Sequence, residues 1–142
     1  MSDVIIFTDG GARGNPGPAA YGVFIKSEKG EVLARIGKYL GETTNNVAEY
    51  SAIIEGLRWV LENKDKIRPQ KISFYMDSLL AYSQLVGLYK VKNEKLRELV
   101  FEIRKLEAQI PIPITYNHIP REKNKLADAL VNLALDNQPK SN

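Results

Sequence analysis

A chain of 142 residues, 44% hydrophobic and 26% charged, has the size of one globular domain and can bury about two-thirds of its unfolded surface. With no cysteine, it is excluded from disulfide-stapled and thiolate-metal classes and suits a reducing compartment. The net charge of +3 is spread evenly along the chain, which admits a polyanionic partner without demanding one.

The opening segment "MSDVIIFTD" lacks a basic region followed by an apolar stretch, and nowhere do ~18 apolar residues run together. A cytoplasmic protein with no membrane partner is expected, and nothing calls for an obligatory protein partner, so a monomer is expected too. Neither repeats nor a long linker divide the chain. It reads as a single domain over 1–142, with a core of about 3–136 and a short loose tail around Ser141 and Asn142.

In chain order, Val4 to Asp9 reads as a first strand, and Tyr21 to Lys26 with Val32 to Tyr39 as a hairpin turning at Gly30. A helix over Val47 to Asn63 follows, with Ile53, Ile54, Leu57, Val60 and Leu61 at helical spacing. Lys71 to Met76 is a fourth strand, Ser78 to Leu88 and Glu94 to Gln109 are helical, Ile112 to His118 is a fifth strand, and Asn124 to Asp136 is a last helix. Hairpin strands first and β-α units afterwards predict an α/β domain built on a mixed sheet with helices packed against it.

Four carboxylates stand out, each with an ordinary explanation. Asp9 shares a strand face with Ile5 and Phe7, yet Asp-Gly is also a common turn pair. Glu49 lies on the helical stripe with Ile53, Gly56 and Val60, apart from the charged stripe Glu55, Arg58, Glu62; "NVAE" could make it the partner of Asn46 in a capping box. Asp77 ends "ISFYM" and could cap the next helix. Asp128 falls in the first turns of the last helix, where a negative charge meets the macrodipole favourably.

Their joint placement favours a site. Parallel strands ending side by side would bring Asp9 and Asp77 to the sheet edge where open α/β sheets bind ligands, and two helices add one acid each. Clustered carboxylates raise one another's pKa unless a cation offsets them. Oxygen-only donors favour magnesium or manganese over zinc. Beside a Gly-rich loop in a basic protein, such a cluster suggests two-metal phosphoryl chemistry on nucleic acid.

The stretches "TDGGARGNPGPAAYG", "TTNNVAEY", "YMDS" and "REKNKLADALVNLAL" resemble type 1 ribonuclease H, collinearly from about Asp3 to Leu135. The resemblance is to the handle-less form without an N-terminal hybrid-binding domain. It implies a ribonuclease H-like fold, a five-stranded mixed sheet of order 3-2-1-4-5 with strand two antiparallel to the others. It also implies endonucleolytic hydrolysis of the RNA strand of an RNA–DNA hybrid, leaving 5′-phosphate and 3′-hydroxyl ends. By the same resemblance Asp9 would bridge two Mg2+ ions, with Mn2+ a substitute. Asp128 would complete the site of the ion that activates water, and Glu49 with Asp77 would hold the ion near the leaving 3′ oxygen. In relatives, groups at the positions of Ala12, Gly14, Asn15 and Asn45 meet the RNA, and those at Thr44 and Asn46 meet the DNA.

The residues themselves are compatible with that assignment. Gly14 and Gly17 let backbone approach a sugar–phosphate chain, and Thr44, Asn45 and Asn46 offer hydroxyl and amide groups at a helix N-terminus. Turn chemistry alone would also explain the glycines. His118, the single histidine, stands ten residues before Asp128, where many relatives carry a histidine that assists proton transfer or product release. Its place on the strand face with Ile112, Ile114 and Tyr116 favours a strand-end polar residue over that role, and Arg121 is a second candidate for it. Lys90, Lys92, Lys95 and Arg97 form a short basic stretch where some relatives insert a handle, although "EKLRELVFEIRKLE" reads as an amphipathic helix with a solvated face.

Competing readings fit less well. A Rossmann turn would need G-x-G-x-x-G and a P-loop would need Gly-Lys-Ser/Thr, and neither occurs. A 3′-5′ exonuclease would want an acid where Gly11 stands, an integrase-like domain would share the acids, and a non-catalytic hybrid binder would have no need to keep a costly carboxylate cluster.

Overall fold

The apolar run that begins at Val4 continues further than its composition suggests. In the computed structural model, which describes residues 3–138, β1 (Val4–Ala12) passes through Asp9 and both glycines after it. It pairs antiparallel with β2 (Gly17–Ser27), which pairs antiparallel with β3 (Val32–Thr43). On its other side β1 runs parallel to β4 (Ile72–Met76), and β4 runs parallel to β5 (Ile114–His118). The order β3-β2-β1-β4-β5 is the expected one, with β2 alone reversed. The expected loose tail around Ser141 and Asn142 lies outside the described residues.

The register fixes where charges emerge. The β1–β4 ladder ends at Thr8 opposite Met76, so Asp9 and Asp77 are the next residues on two adjacent parallel strands. Asp9 is still paired on its other side, opposite Gly22 of β2. It is therefore a strand residue and not the start of a turn.

Helix α1 (Asn45–Ile67) packs on one face of the sheet, burying Ile53, Leu57 and Val60 against Ile6, Ile72 and Phe74. Its N-cap is Thr44, whose Oγ1 accepts from the Val47 N–H at 3.2 Å, so Asn46 is already helical and the capping-box reading of Glu49 does not hold. Of the charged stripe, Arg58 and Glu62 are exposed, whereas Glu55 is half-buried and accepts a 2.7 Å hydrogen bond from the Tyr21 hydroxyl. Burial, with Glu55 adding to it, pushes the Tyr21 phenol well above its usual range. Helices α2 (Leu79–Leu85) and α3 (Glu94–Ala108) complete this layer. Ser78, not Asp77, caps α2 by accepting from the Ala81 N–H at 3.1 Å. In α3, Leu96, Ile103 and Leu106 turn inward while Lys95, Arg97 and Glu98 face solvent, as the amphipathic reading requires.

Helix α4 (Lys125–Asp136), preceded by a 3-10 turn at Arg121–Lys123, lies across the opposite face. Its close approach depends on Gly22: a Cβ there would sit 2.3 Å from the Ala127 carbonyl oxygen and 2.8 Å from the Leu130 Cβ. The β2–β3 ladder slips register at Ala19/Ala20 and again at Ile25/Lys26. Among the described residues no helix is long and apolar enough to cross a membrane.

Because backbone atoms oppose the missing Cβ, Gly22→Ala should force α4 outward and cost roughly 1–3 kcal/mol, the usual range for overpacking. Urea unfolding tests this; an unchanged midpoint would mean that α4 does not rest on β2 as described.

Candidate active site

Four separate elements deliver four acids to one place. Asp9 comes from β1, Asp77 from the end of β4, Glu49 from the second turn of α1 and Asp128 from the first turn of α4. One carboxylate oxygen each from Asp9, Glu49 and Asp77 lie within 4.8 Å of one another. Asp128 lines the same cavity, of about 370 Å³, and its charge helps to raise the Asp9 carboxyl. Gly10 makes the convergence possible. A Cβ on it would stand 2.3–2.6 Å from the Ala48 and Glu49 backbone, so only glycine lets the first turns of α1 settle against β1.

Asp9 and Glu49 are 7% and 8% exposed, and no Lys, Arg or His forms an ion pair with any of the four acids among the described residues. Burial first, then the charges of Asp77 and Asp128, pushes the Asp9 carboxyl up to about 8, although the Gly10 N–H donates to it at 3.0 Å. Burial, followed by the charges of Asp9 and Asp77, holds Glu49 well above the usual carboxylate range. Hard oxygen donors, close-set and lacking a cation from the protein, fit one or more divalent ions of the magnesium or manganese kind.

Amide groups hold the less buried acids. Asn124 Nδ2 donates to Asp77 Oδ2 and to the Thr8 carbonyl, both at 2.9 Å, and Asn132 Nδ2 donates to Asp128 Oδ2 at 3.3 Å. Neither amide stood out in the sequence, where Asn124 read only as the start of a helix. The available signal was spacing: Asn124, Asp128 and Asn132 recur every four residues along one face of α4.

The Gly-rich loop and the start of α1 are locked together. Asn45 Oδ1 accepts from the Ala12 N–H at 2.7 Å, and Asn15 Oδ1 accepts from the Asn45 N–H at 3.0 Å. Ala12, Asn45 and Asn46 line the cavity. Gly14 and Asn15 are exposed on the adjoining loop, while Thr44 is occupied as the helix cap. Gly17 serves the loop itself, since a Cβ there would lie 2.3 Å from the Arg13 carbonyl oxygen.

His118 ends β5, exposed, with Nε2 3.2 Å from the Asp77 carbonyl oxygen and its ring against Tyr82. Arg121, not His118, reaches the cavity wall. It makes no ion pair among the described residues, whereas Arg13, also on the wall, is bonded to Asp136 at 2.6 Å. Lys90 and Lys92 lie exposed in the short connection between α2 and α3, and Lys95 sits 3.9 Å from Glu98.

A mixed five-stranded sheet with acids gathered at the ends of its central strands is the architecture of ribonuclease H-like proteins. LC11-RNase H1, isolated from compost by a metagenomic approach, has this fold with a TM-score of 0.89 and 48% identity over 96% of this chain and 97% of that one; it has also been crystallised with an RNA/DNA hybrid. The family described as reverse transcriptase-like matches residues 7–134. A ribonuclease H of Hydrogenovibrio crunogenus is 31% identical over 154 aligned positions, covering 96% of this chain and 97% of that protein. A bifunctional protein of Mycobacterium tuberculosis is 40% identical over 134 residues. These cover 94% of this chain but 35% of the relative, so the chain spans about a third of that protein's length. The chain belongs to the type 1 ribonuclease H family of hydrolases, in the handle-less form, α2 and α3 being joined by residues 86–93 without an inserted helix.

In metal-free buffer, folded Asp9 and Glu49 keep protons that the unfolded chain releases near pH 4. Stability should therefore fall as pH rises from about 4 toward the raised Asp9 value of about 8. Saturating Mg2+ should flatten that decline. Thermal melts in EDTA across this range test the point, and a rise in midpoint with pH would contradict the strained acid cluster.

Proposed function

We propose that this protein is an endoribonuclease that hydrolyses the RNA strand of RNA–DNA hybrids, leaving 5′-phosphate and 3′-hydroxyl ends. The observation that carries the reading is the gathering of four carboxylates on one cavity, none of them ion-paired to Lys, Arg or His among the described residues. Family membership and the hybrid complex of LC11-RNase H1 support it.

Asp9, Glu49, Asp77 and Asp128 would hold a pair of Mg2+ ions, or Mn2+ in their place, which when bound supply an activated water and charge stabilisation at the scissile phosphate. The chain's other groups bind and orient. With their Oδ1 atoms bonded within the protein, Asn45 and Asn15 would keep their Nδ2 groups as donors, and with the backbone at Ala12 and Gly14 they would face the RNA strand. Its 2′-hydroxyl is the handle that separates RNA from DNA. Thr44 and Asn46 would meet the DNA strand at the helix N-terminus. Arg121, on the cavity wall and without an ion pair among the described residues, would bind phosphate there, and His118, beside the Asp77 carbonyl, would move a proton or help release product. A cytoplasmic monomer is the form in which we expect it to act.

Binding a hybrid without cutting it is the alternative. The raised Asp9 and Glu49 count against it, since burying unpaired acids costs stability for no benefit to binding.

A panel of RNA, DNA and hybrid duplexes, with and without EDTA, tests the proposal: cleavage is expected in the RNA strand of the hybrid and only with divalent metal. Equal cutting of double-stranded DNA, or cutting in EDTA, would refute it. Asp9→Asn should lower kcat on the order of 10³-fold or more, because several kcal/mol of transition-state stabilisation disappear with the metal, while hybrid binding persists in a gel-shift assay.

A further inference from the structure

The side chain of Asn124 is 1% exposed at the junction between the 3-10 turn and α4. Asparagine is a favoured N-cap, and its position at the head of α4 would suit that task, yet its side chain makes no capping hydrogen bond. The amide instead turns inward. Its Nδ2 bonds Asp77 Oδ2 and the Thr8 carbonyl, and its buried Oδ1 has no protein hydrogen-bond partner among the described residues.

The direction of that amide is not arbitrary. A carboxylate oxygen and a carbonyl oxygen are both acceptors, so only the NH₂ end can face them. Leaving Oδ1 unsatisfied in the interior is costly, and a residue serving only to start α4 could avoid that cost by pointing Oδ1 at the free N–H groups of the first turn. The arrangement makes sense if the two donated bonds matter more than the cap. They tie together three segments that carry acids: Thr8 precedes Asp9, Asp77 is held directly, and Asp128 lies one turn further along α4.

We propose that Asn124 is a positioning residue of the metal site, fixing the Asp77 carboxylate so that its second oxygen is aimed into the cavity beside Asp9 and Glu49. The inference rests on the reading of those acids as divalent-metal ligands. A partner that orients a ligating carboxylate sharpens metal affinity without touching the ion.

Asn124→Ala and Asn124→Ser are the variants to compare with the unsubstituted protein. Serine preserves a good N-cap type but is too short to span both acceptors. Mg2+ binding is followed by calorimetry without nucleic acid, unfolding is followed in EDTA, and kcat and KM are read on a hybrid. Both variants should fold and lose roughly 10–100-fold in Mg2+ affinity, as removal of ligand-orienting partners commonly does. The KM for hybrid should stay within about threefold while kcat at fixed Mg2+ falls, the split expected when ligand orientation and not substrate contact is lost. Mg2+ affinity within about twofold of the unsubstituted protein in either folded variant would overturn the proposal. Loss of cooperative unfolding in both would overturn it as well, by assigning Asn124 to the fold. Should the unsubstituted protein itself bind no Mg2+, the functional reading fails; if it binds and the variants bind equally, only the role of Asn124 falls.

Discussion

Mutual repulsion among buried carboxylates is the constraint around which the rest of this molecule is arranged. Two unit charges within 4.8 Å at an effective protein dielectric oppose each other by on the order of 3 kcal/mol, and desolvation adds to this. Among the described residues no lysine or arginine pairs with these acids to relieve the conflict. The fold holds the acids in place by geometry: strand register places Asp9 beside Asp77, a missing Cβ at Gly10 admits Glu49, and another at Gly22 admits the helix bearing Asp128. The core behind them, with Ile6, Phe74, Ile53 and Leu57 fully or nearly fully buried, supplies the rigidity that makes such a conflict sustainable.

Most of the architecture was legible because its signals are local. Alternation in "VIIFTD", the helical stripe through Ile53, Leu57 and Val60, and Gly30 at a turn gave elements in the right order, and the acids stood out as charges interrupting apolar runs. The misreadings share a physical origin. "DGG" has turn composition, but ladder bonds to β2 keep it extended through Ala12, so tertiary pairing overrode propensity. Asp77 and the Asn46–Glu49 pair looked like caps because Thr44 and Ser78, one or two residues away, are equally good cap types. Spacing could place the Asn124 amide on the face of Asp128 but could not name what it bonds: its partners are 47 and 116 residues distant, and no local rule reaches across that separation.

The loop between β1 and β2 illustrates how one side chain could serve two purposes. Asn45 and Asn15 each use an oxygen to knit the β1–β2 loop to the head of α1, leaving their nitrogens as donors. Donors whose other end is already fixed lose little entropy when a ligand arrives, which is the advantage of preorganisation. The same economy is visible at Thr44, whose hydroxyl caps the helix that presents Asn45 and Asn46. On the proposed reading, stability and recognition would be drawn from the same few residues, and a change there would disturb both.

The two slips in the β2–β3 ladder have an outcome beyond local geometry. Strand β3 is twelve residues long and forms one outer margin of the sheet, where a flat row of unpaired N–H and C=O groups would invite another chain to add on. Irregular spacing at Ala19/Ala20 and Ile25/Lys26 bends that margin, while Arg35, Lys38 and Glu42 project charge from it. An incoming strand would meet mismatched hydrogen-bonding partners and would have to desolvate those side chains. The outer strand of the hairpin thus combines irregular spacing with projecting charge, two features that guard an open sheet edge against pairing with another strand.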